Sequence, residues 1–188
     1  MNLTNSGHMY DNFPKTTVWM ATEFGTLLDR FPNRGKAFLK HSQLSEDRAR
    51  RALRPHAAPA CSFESFWHPL GRLKFAQLTP RQDGETILVN VGMAALFEKA
   101  PKTWGPILEA TLLHELVHWG LLKSGSSAWA HSDSDDDPGF KFERETYGKV
   151  IEPNCAQKIA LREVTNVWRP GTPGITSSYH IKYQCGVD

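Results

Sequence analysis

Two histidines and a glutamate lie within five positions of one another in a strongly apolar segment. In the stretch EATLLHELVHWGLLK, residues 109–123, His114 and His118 are four positions apart and Glu115 follows the first histidine. Residues four apart share one face of an α-helix, so both imidazoles point toward one place and Glu115 reaches its edge. This HExxH arrangement is typical of two zinc ligands and a carboxylate that acts as a general base. The motif predicts Zn2+ as cofactor, His114 and His118 as metal ligands and Glu115 as the catalytic residue.

A catalytic zinc site needs a third protein ligand, which residues downstream of the motif must supply. A histidine at the spacing HExxHxxGxxH is absent, because Ser124 stands at that position. Glu143 is favoured over Glu145, because Glu143 is flanked by phenylalanines in a predicted helix, where a buried carboxylate needs a cation. The alternatives that stay open are His131 and the loop aspartates Asp133, Asp135, Asp136 and Asp137.

The segments around the motif predict an α+β fold. Alternating apolar residues between positions 72 and 90, with a turn at Asp83-Gly84, predict a β-hairpin whose edge could accept an extended peptide. Helical spacing of apolar residues predicts N-terminal helices over residues 15–31 and 35–54, and a further helix over 140–151. Apolar residues surround the motif helix on every side, so it is predicted to be buried. We therefore expect a buried active-site helix, a small β-hairpin or sheet and additional N-terminal helices.

The composition excludes some partners and suggests where the chain divides. Twenty-two basic and 20 acidic residues give a formal charge of +2, which provides no strong field for nucleic acid, and the apolar runs are too short for membrane insertion. The stretch RPHAAPA, residues 54–60, is typical of a linker. We expect an N-terminal helical segment over 1–60, its first residues resembling a cloning remnant, and a catalytic domain over 61–188.

The three cysteines, Cys61, Cys155 and Cys185, are far apart and match no zinc pattern of the CxxC type. Ordinary buried thiols are the expected state, and one disulfide in an oxidising compartment is the alternative. The N-terminus has no charged start followed by an apolar stretch, so it does not predict a secretory signal.

The segments HELVHWG (114–120) and GFKFERETYG (139–148) resemble zinc metallopeptidase toxin domains of bacterial polymorphic toxins, including C-terminal effector domains of type VI secretion spike proteins. The resemblance extends over roughly residues 61–150. It implies a zincin-like fold and a gluzincin-like site, with Glu143 as third ligand beside His114 and His118, and Glu115 as base. It also implies an antibacterial effector that type VI machinery delivers, acting in the target-cell periplasm. The implied partners are a protein or peptide substrate, a cognate immunity protein and the secretion spike.

Two other functions are compatible with the same residues. One is a non-catalytic, metal-stabilised spike or adaptor module, which Glu115 disfavours because a structural zinc has four protein ligands and needs no base beside them. The other is an amidase of peptidoglycan peptide stems, which would use the same chemistry on another amide. The sequence does not separate this amidase from a peptidase.

Overall fold

The described part of this protein consists of helices and one small sheet. The computed structural model describes residues 2–3, 12–54, 57–64, 75–81, 84–130 and 135–167. The strands are β1 (Asn2–Leu3), β2 (Ala60–Glu64), β3 (Ala76–Arg81) and β4 (Gly84–Asn90). The helices are α1 (Pro14–Thr22), α2 (Leu27–Arg30), α3 (Pro32–Ser42), α4 (Glu46–Leu53), α5 (Val91–Lys99), α6 (Pro101–Lys123), α7 (Pro138–Tyr147) and α8 (Cys155–Val167), with 3-10 turns at Phe24–Thr26 and Ser127–Trp129.

The sheet has the strand order β1-β2-β4-β3, so β3 lies at one edge. The predicted hairpin is confirmed: β3 and β4 are antiparallel, with Leu78 opposite Ile87. The sequence did not predict the parallel pairing of β2 with β4, nor that of β1 with β2. Because Leu78 and Ile87 are both buried, the hairpin presents an apolar face to the core.

The two N-terminal helices predicted over 15–31 and 35–54 are each divided. The first consists of α1, the Phe24–Thr26 turn and α2. In the second, Gln43 adopts the left-handed conformation with φ of 56°, and its N–H donates to the carbonyl of Leu39. A left-handed residue after the last helical turn ends a helix, so α3 stops there and α4 begins at Glu46. The apolar spacing predicted the buried faces but not this interruption.

Helix α6 is the central element, and α3, α5, α7, β3 and β4 all pack against it. It begins at Pro101, because a proline suits the first helical position. Leu108, Leu112 and Leu116 are fully buried. Every residue from 110 to 121 is buried as well, so the prediction that the motif part of this helix is buried on all sides is confirmed.

One apolar core joins the helices on both sides of residue 60. Phe24 and Phe38 from the N-terminal helices belong to the same cluster as Leu112 of α6 and Phe142 of α7. The α+β class, with N-terminal helices and a small sheet, is confirmed. The division into segments 1–60 and 61–188 stays a prediction. Within the described residues, no helix is both long and apolar enough to cross a bilayer.

The cysteines differ in state. Cys61 is a buried thiol, and burial raises its pKa to about 12. Cys155 is disulfide-bonded. Cys185 lies outside the described residues. The expectation of ordinary buried thiols therefore holds for Cys61 and is wrong for Cys155.

Candidate metal centre

The three motif residues are buried on adjacent turns of α6. His114 is 8% exposed, Glu115 4% and His118 not at all. The Nε2 atoms of the two histidines lie 3.2 Å apart, so the imidazoles converge as the four-residue spacing predicts. Three polar side chains at this depth need defined partners, because an unsatisfied buried polar group is strongly destabilising.

Asp137 brings a carboxylate oxygen to the same place. Its Oδ1 lies 3.2 Å from Nε2 of His118 and 3.4 Å from Nε2 of His114, and the residue is 1% exposed. Asp137 is the N-cap of α7, and the same oxygen accepts N–H groups from Gly139 at 2.8 Å and Phe140 at 3.2 Å. The start of α7 thus fixes the carboxylate over the histidine pair. Among the described residues, His114, His118 and Asp137 are the group that could hold a metal ion.

The outward-facing nitrogen of each histidine is bound by an acceptor. Nδ1 of His114 lies 2.8 Å from Oε1 of Glu143, and Nδ1 of His118 lies 2.8 Å from the carbonyl oxygen of Trp129. A carbonyl and an ionised carboxylate only accept hydrogen bonds, so both Nδ1 atoms carry the proton. In neutral imidazoles both Nε2 atoms then present lone pairs. Metal-ligating histidines usually have this arrangement, with the second nitrogen donating to a carboxylate or backbone carbonyl.

The inner atoms of the cluster are consequently two nitrogen lone pairs and one carboxylate oxygen. Three such atoms converging on one place require a cation or a proton among them. Four ligands placed tetrahedrally at about 2.0–2.1 Å from zinc lie about 3.3 Å from one another. The observed separations of 3.2, 3.2 and 3.4 Å match one face of that tetrahedron. Both the chemistry and the spacing of the donors therefore fit zinc.

The charges around His114 favour positive charge on its ring. Burial lowers the pKa of His114, but the hydrogen bond to Glu143 and the charges of Glu115, Asp137 and Glu143 outweigh it. The result is a pKa above the ordinary value of 6.5. Three nearby carboxylates thus create a site that stabilises a cation in a buried environment.

Glu115 lies beside the cluster and contacts the sheet. Its Oε2 accepts the backbone N–H of Leu78 in the edge strand β3, at 2.7 Å. Glu115 is therefore held between α6 and β3, next to His114 but on a neighbouring face of the helix. A carboxylate beside two histidines that could hold a metal is able to act as a general base.

The predicted third ligand, Glu143, lies in the site but on the outer side of His114. Its Oε1 contacts Nδ1 of His114, and its Oε2 accepts the N–H of Ile151 at 2.6 Å. Glu145 faces elsewhere, pairing with Lys40 at 2.6 Å and His41 at 2.8 Å on the surface. The ligand that sequence reasoning favoured thus contacts a histidine, while Asp137 is closest to both Nε2 atoms.

The other open alternatives divide between surface and undescribed positions. Asp135 pairs with Arg144 at 2.5 Å and Asp136 with Lys141 at 3.0 Å, both on the exposed surface. His131 and Asp133 lie outside the described residues. A signal for Asp137 was present in the sequence, because an aspartate directly before Pro-Gly and a helix is a typical N-cap.

One of three comparisons with known proteins identifies a family for this chain. The sequence model of the metallopeptidase toxin 3 family (Tox-MPTase3) matches residues 9–148, which contain the motif, Asp137 and Glu143. No curated protein matches the chain. No solved structure matches it either. Since the match spans most of the sequence and includes the whole candidate metal centre, the chain belongs to the metallopeptidase toxin 3 family.

Proposed function

We propose that the protein is a zinc-dependent peptidase in which His114, His118 and Asp137 hold the metal. The observation that carries the proposal is the convergence of two Nε2 atoms and Asp137 Oδ1 within 3.4 Å of one another. Three protein ligands leave a fourth position for water, as a catalytic zinc requires. In this proposal Glu143 orients His114 instead of binding the metal itself.

Zinc, when bound, supplies Lewis acidity that polarises an amide carbonyl and acidifies a water molecule. The protein's own residues then move the proton. Glu115 takes the proton from water onto its carboxylate as the water oxygen attacks the amide carbonyl carbon. Glu115 next gives that proton to the amide nitrogen as the carbon–nitrogen bond breaks. Glu143 and the Trp129 carbonyl keep both imidazoles in the tautomer that presents Nε2 to the metal.

A cleavage assay with matched variants tests the proposal. Zinc-loaded wild-type protein should cleave an unfolded reporter protein, and Glu115→Gln should lower kcat about 10²–10⁴-fold with zinc content and melting temperature unchanged. Glu145→Gln is the control, because Glu145 is an exposed carboxylate on α7 that pairs with Lys40 and His41. Equal activity of wild type and Glu115→Gln would contradict the proposed base. An assay on purified peptidoglycan in parallel identifies an amidase, and inactivity on both substrates would favour a non-catalytic module.

We further propose that the protein is an antibacterial effector, delivered by type VI secretion machinery and acting in the target-cell periplasm. Membership in a toxin family supports an attack on a protein substrate and a cognate immunity protein in the producing cell. The disulfide at Cys155 supports action in an oxidising compartment such as the periplasm.

Targeted expression tests the site of action. In a Gram-negative host, the wild type with an export signal should inhibit growth far more than the same protein kept in the cytoplasm. Glu115→Gln should be harmless in both compartments. Toxicity confined to the cytoplasm would overturn the periplasmic assignment while leaving the peptidase intact, and equal toxicity of the variant would show that the harm is not catalytic.

A further inference from the structure

The edge strand β3 contacts the active-site helix through its backbone. In an antiparallel pair, successive residues alternate between facing the partner strand and facing away from it. The N–H of Asn90 in β4 donates to the carbonyl of Phe75 at 2.8 Å, so residues 75, 77 and 79 face β4. The backbone of Ala76, Leu78 and Pro80 therefore faces the open side of the strand.

One of these outward-facing amides is directed at the catalytic motif. The N–H of Leu78 donates to Oε2 of Glu115 at 2.7 Å, and both residues are buried. The next outward position along the strand is Pro80, which has no N–H to donate. Of the outward-facing positions 78 and 80, Leu78 is therefore the one with an N–H, and this N–H donates to Glu115. Because both residues are buried, a hydrogen bond to the carboxylate is strong here.

We propose that the backbone N–H of Leu78 is a positioning group for the catalytic base, fixing the Glu115 carboxylate beside the histidine pair. Helix α6 sets the direction of the Cα–Cβ bond of Glu115 but not the orientation of its carboxylate. The hydrogen bond from β3 fixes one oxygen, so the carboxylate is oriented before substrate binds. The catalytic part of this inference rests on the proposed function, whereas the orientation of Glu115 does not.

The same contact limits how a peptide substrate can use this edge. An extended peptide added to β3 can donate its N–H groups to the outward carbonyls of the strand. It cannot accept a hydrogen bond from Leu78 without displacing Glu115, nor from Pro80. We therefore expect substrate binding along residues 78–80 to depend on the substrate's own amide donors.

Replacement of single backbone amides by esters tests the positioning role directly. An ester at Leu78, made with the α-hydroxy analogue of leucine, removes the N–H and keeps the buried side chain. The control is an ester at Ala76, whose N–H faces the same side about 6.8 Å away along the strand. With zinc bound, the Leu78 ester should lower kcat about 10–100-fold relative to the Ala76 ester, with KM and zinc content unchanged. Equal kcat for the two esters, or a change confined to KM, would overturn the proposal.

Hydrogen exchange provides a readout that needs neither catalysis nor the ester proteins. In the zinc-loaded full chain, the Leu78 amide should exchange at least about tenfold faster in Glu115→Ala than in wild type, and remain protected in Glu115→Gln, whose carbonyl still accepts. The amide of Thr79, which faces β4, should be unchanged in both variants. An unchanged Leu78 amide in Glu115→Ala would overturn the proposal. If wild type lacks peptidase activity but shows this exchange pattern, the proposed function fails while the orientation of Glu115 stands.

Discussion

Helix α6 is joined to α7 by two clusters of polar residues that differ in how their carboxylates are neutralised. In the first, Glu109 forms an ion pair with Arg34 of α3 and accepts the Tyr147 hydroxyl at 3.1 Å. In the second, five residues along α6, the carboxylates of Asp137 and Glu143 face the imidazoles of His114 and His118.

The first cluster is complete within the protein. The guanidinium of Arg34 supplies the positive charge for Glu109 and stacks over the rings of Phe31 and Tyr147. Burial raises the pKa of Glu109, which the charge of Arg34 and the hydrogen bond from Tyr147 only partly offset. In the second cluster the groups that converge are lone pairs, and the positive charge must come from a proton or a metal. This difference separates a structural contact from the proposed metal site.

Loss of either histidine should have the largest effect on zinc binding. Wild-type protein should contain about one zinc per chain, and His114→Ala and His118→Ala should each reduce this to background, because two ligands hold zinc poorly. Inductively coupled plasma mass spectrometry on the purified proteins measures the content. His41→Ala is the control, because His41 pairs with Glu145 on the surface. Zinc retained at full occupancy in both variants would remove the proposed site.

Substitutions of Asp137 and Glu143 should weaken zinc binding to different extents. Asp137→Ala should remove zinc almost as completely as loss of a histidine. Glu143→Gln should weaken zinc binding about 10–100-fold, because it loses the charged partner of His114 but not a ligand. Competition with a chelator of known affinity measures both constants. If the order is reversed, Glu143 is the third ligand, as the sequence alone suggested.

Replacing Gly139 with alanine should weaken zinc binding less than the loss of a ligand does. A Cβ atom at this position would overlap the imidazole of His114, so only glycine lets the first turn of α7 approach the histidine pair. Gly139→Ala should therefore displace Asp137 or His114 and weaken zinc binding about tenfold. Gly105→Ala in α6 is the control, because its Cβ would make an ordinary contact at 3.5 Å with Phe97. Equal zinc affinity of the two variants would contradict the close packing of Gly139 against His114.

Loss of the Glu109 side chain should lower the stability of the fold without changing the affinity for zinc. Glu109→Ala leaves Arg34 and Tyr147 without this carboxylate and should reduce the free energy of unfolding by about 1–3 kcal/mol. Urea denaturation measures this loss. Zinc affinity should stay within about twofold of wild type, because Glu109 contacts none of the proposed ligands. A large loss of zinc would show that the two clusters act as one.

The sequence predicted the part of the site that one helix creates. His114, Glu115 and His118 follow from spacing within α6, which depends only on local geometry. Spacing does not distinguish Asp137, because it lies in an acidic loop where neighbours such as Asp135 and Asp136 are exposed. What distinguishes it is the start of α7, whose amides of Gly139 and Phe140 fix its carboxylate.

The same limit applies to the fold. The hairpin of β3 and β4 has a local turn and was predicted, whereas the parallel pairing of β2 with β4 depends on contacts between distant segments. The left-handed conformation of Gln43, which ends α3, likewise could not be predicted from the spacing of apolar residues. Glu143 was recognised as buried near the site, but which nitrogen of His114 it meets depends on how α7 packs against α6.

Crystals of zinc-loaded protein, measured on both sides of the zinc absorption edge, test the central claim most directly. The account predicts one anomalous peak about 2.0–2.2 Å from Nε2 of His114, Nε2 of His118 and Oδ1 of Asp137, with Glu143 on Nδ1 of His114. No peak at this place, or a peak bound by the Glu143 carboxylate in place of Asp137, would contradict it.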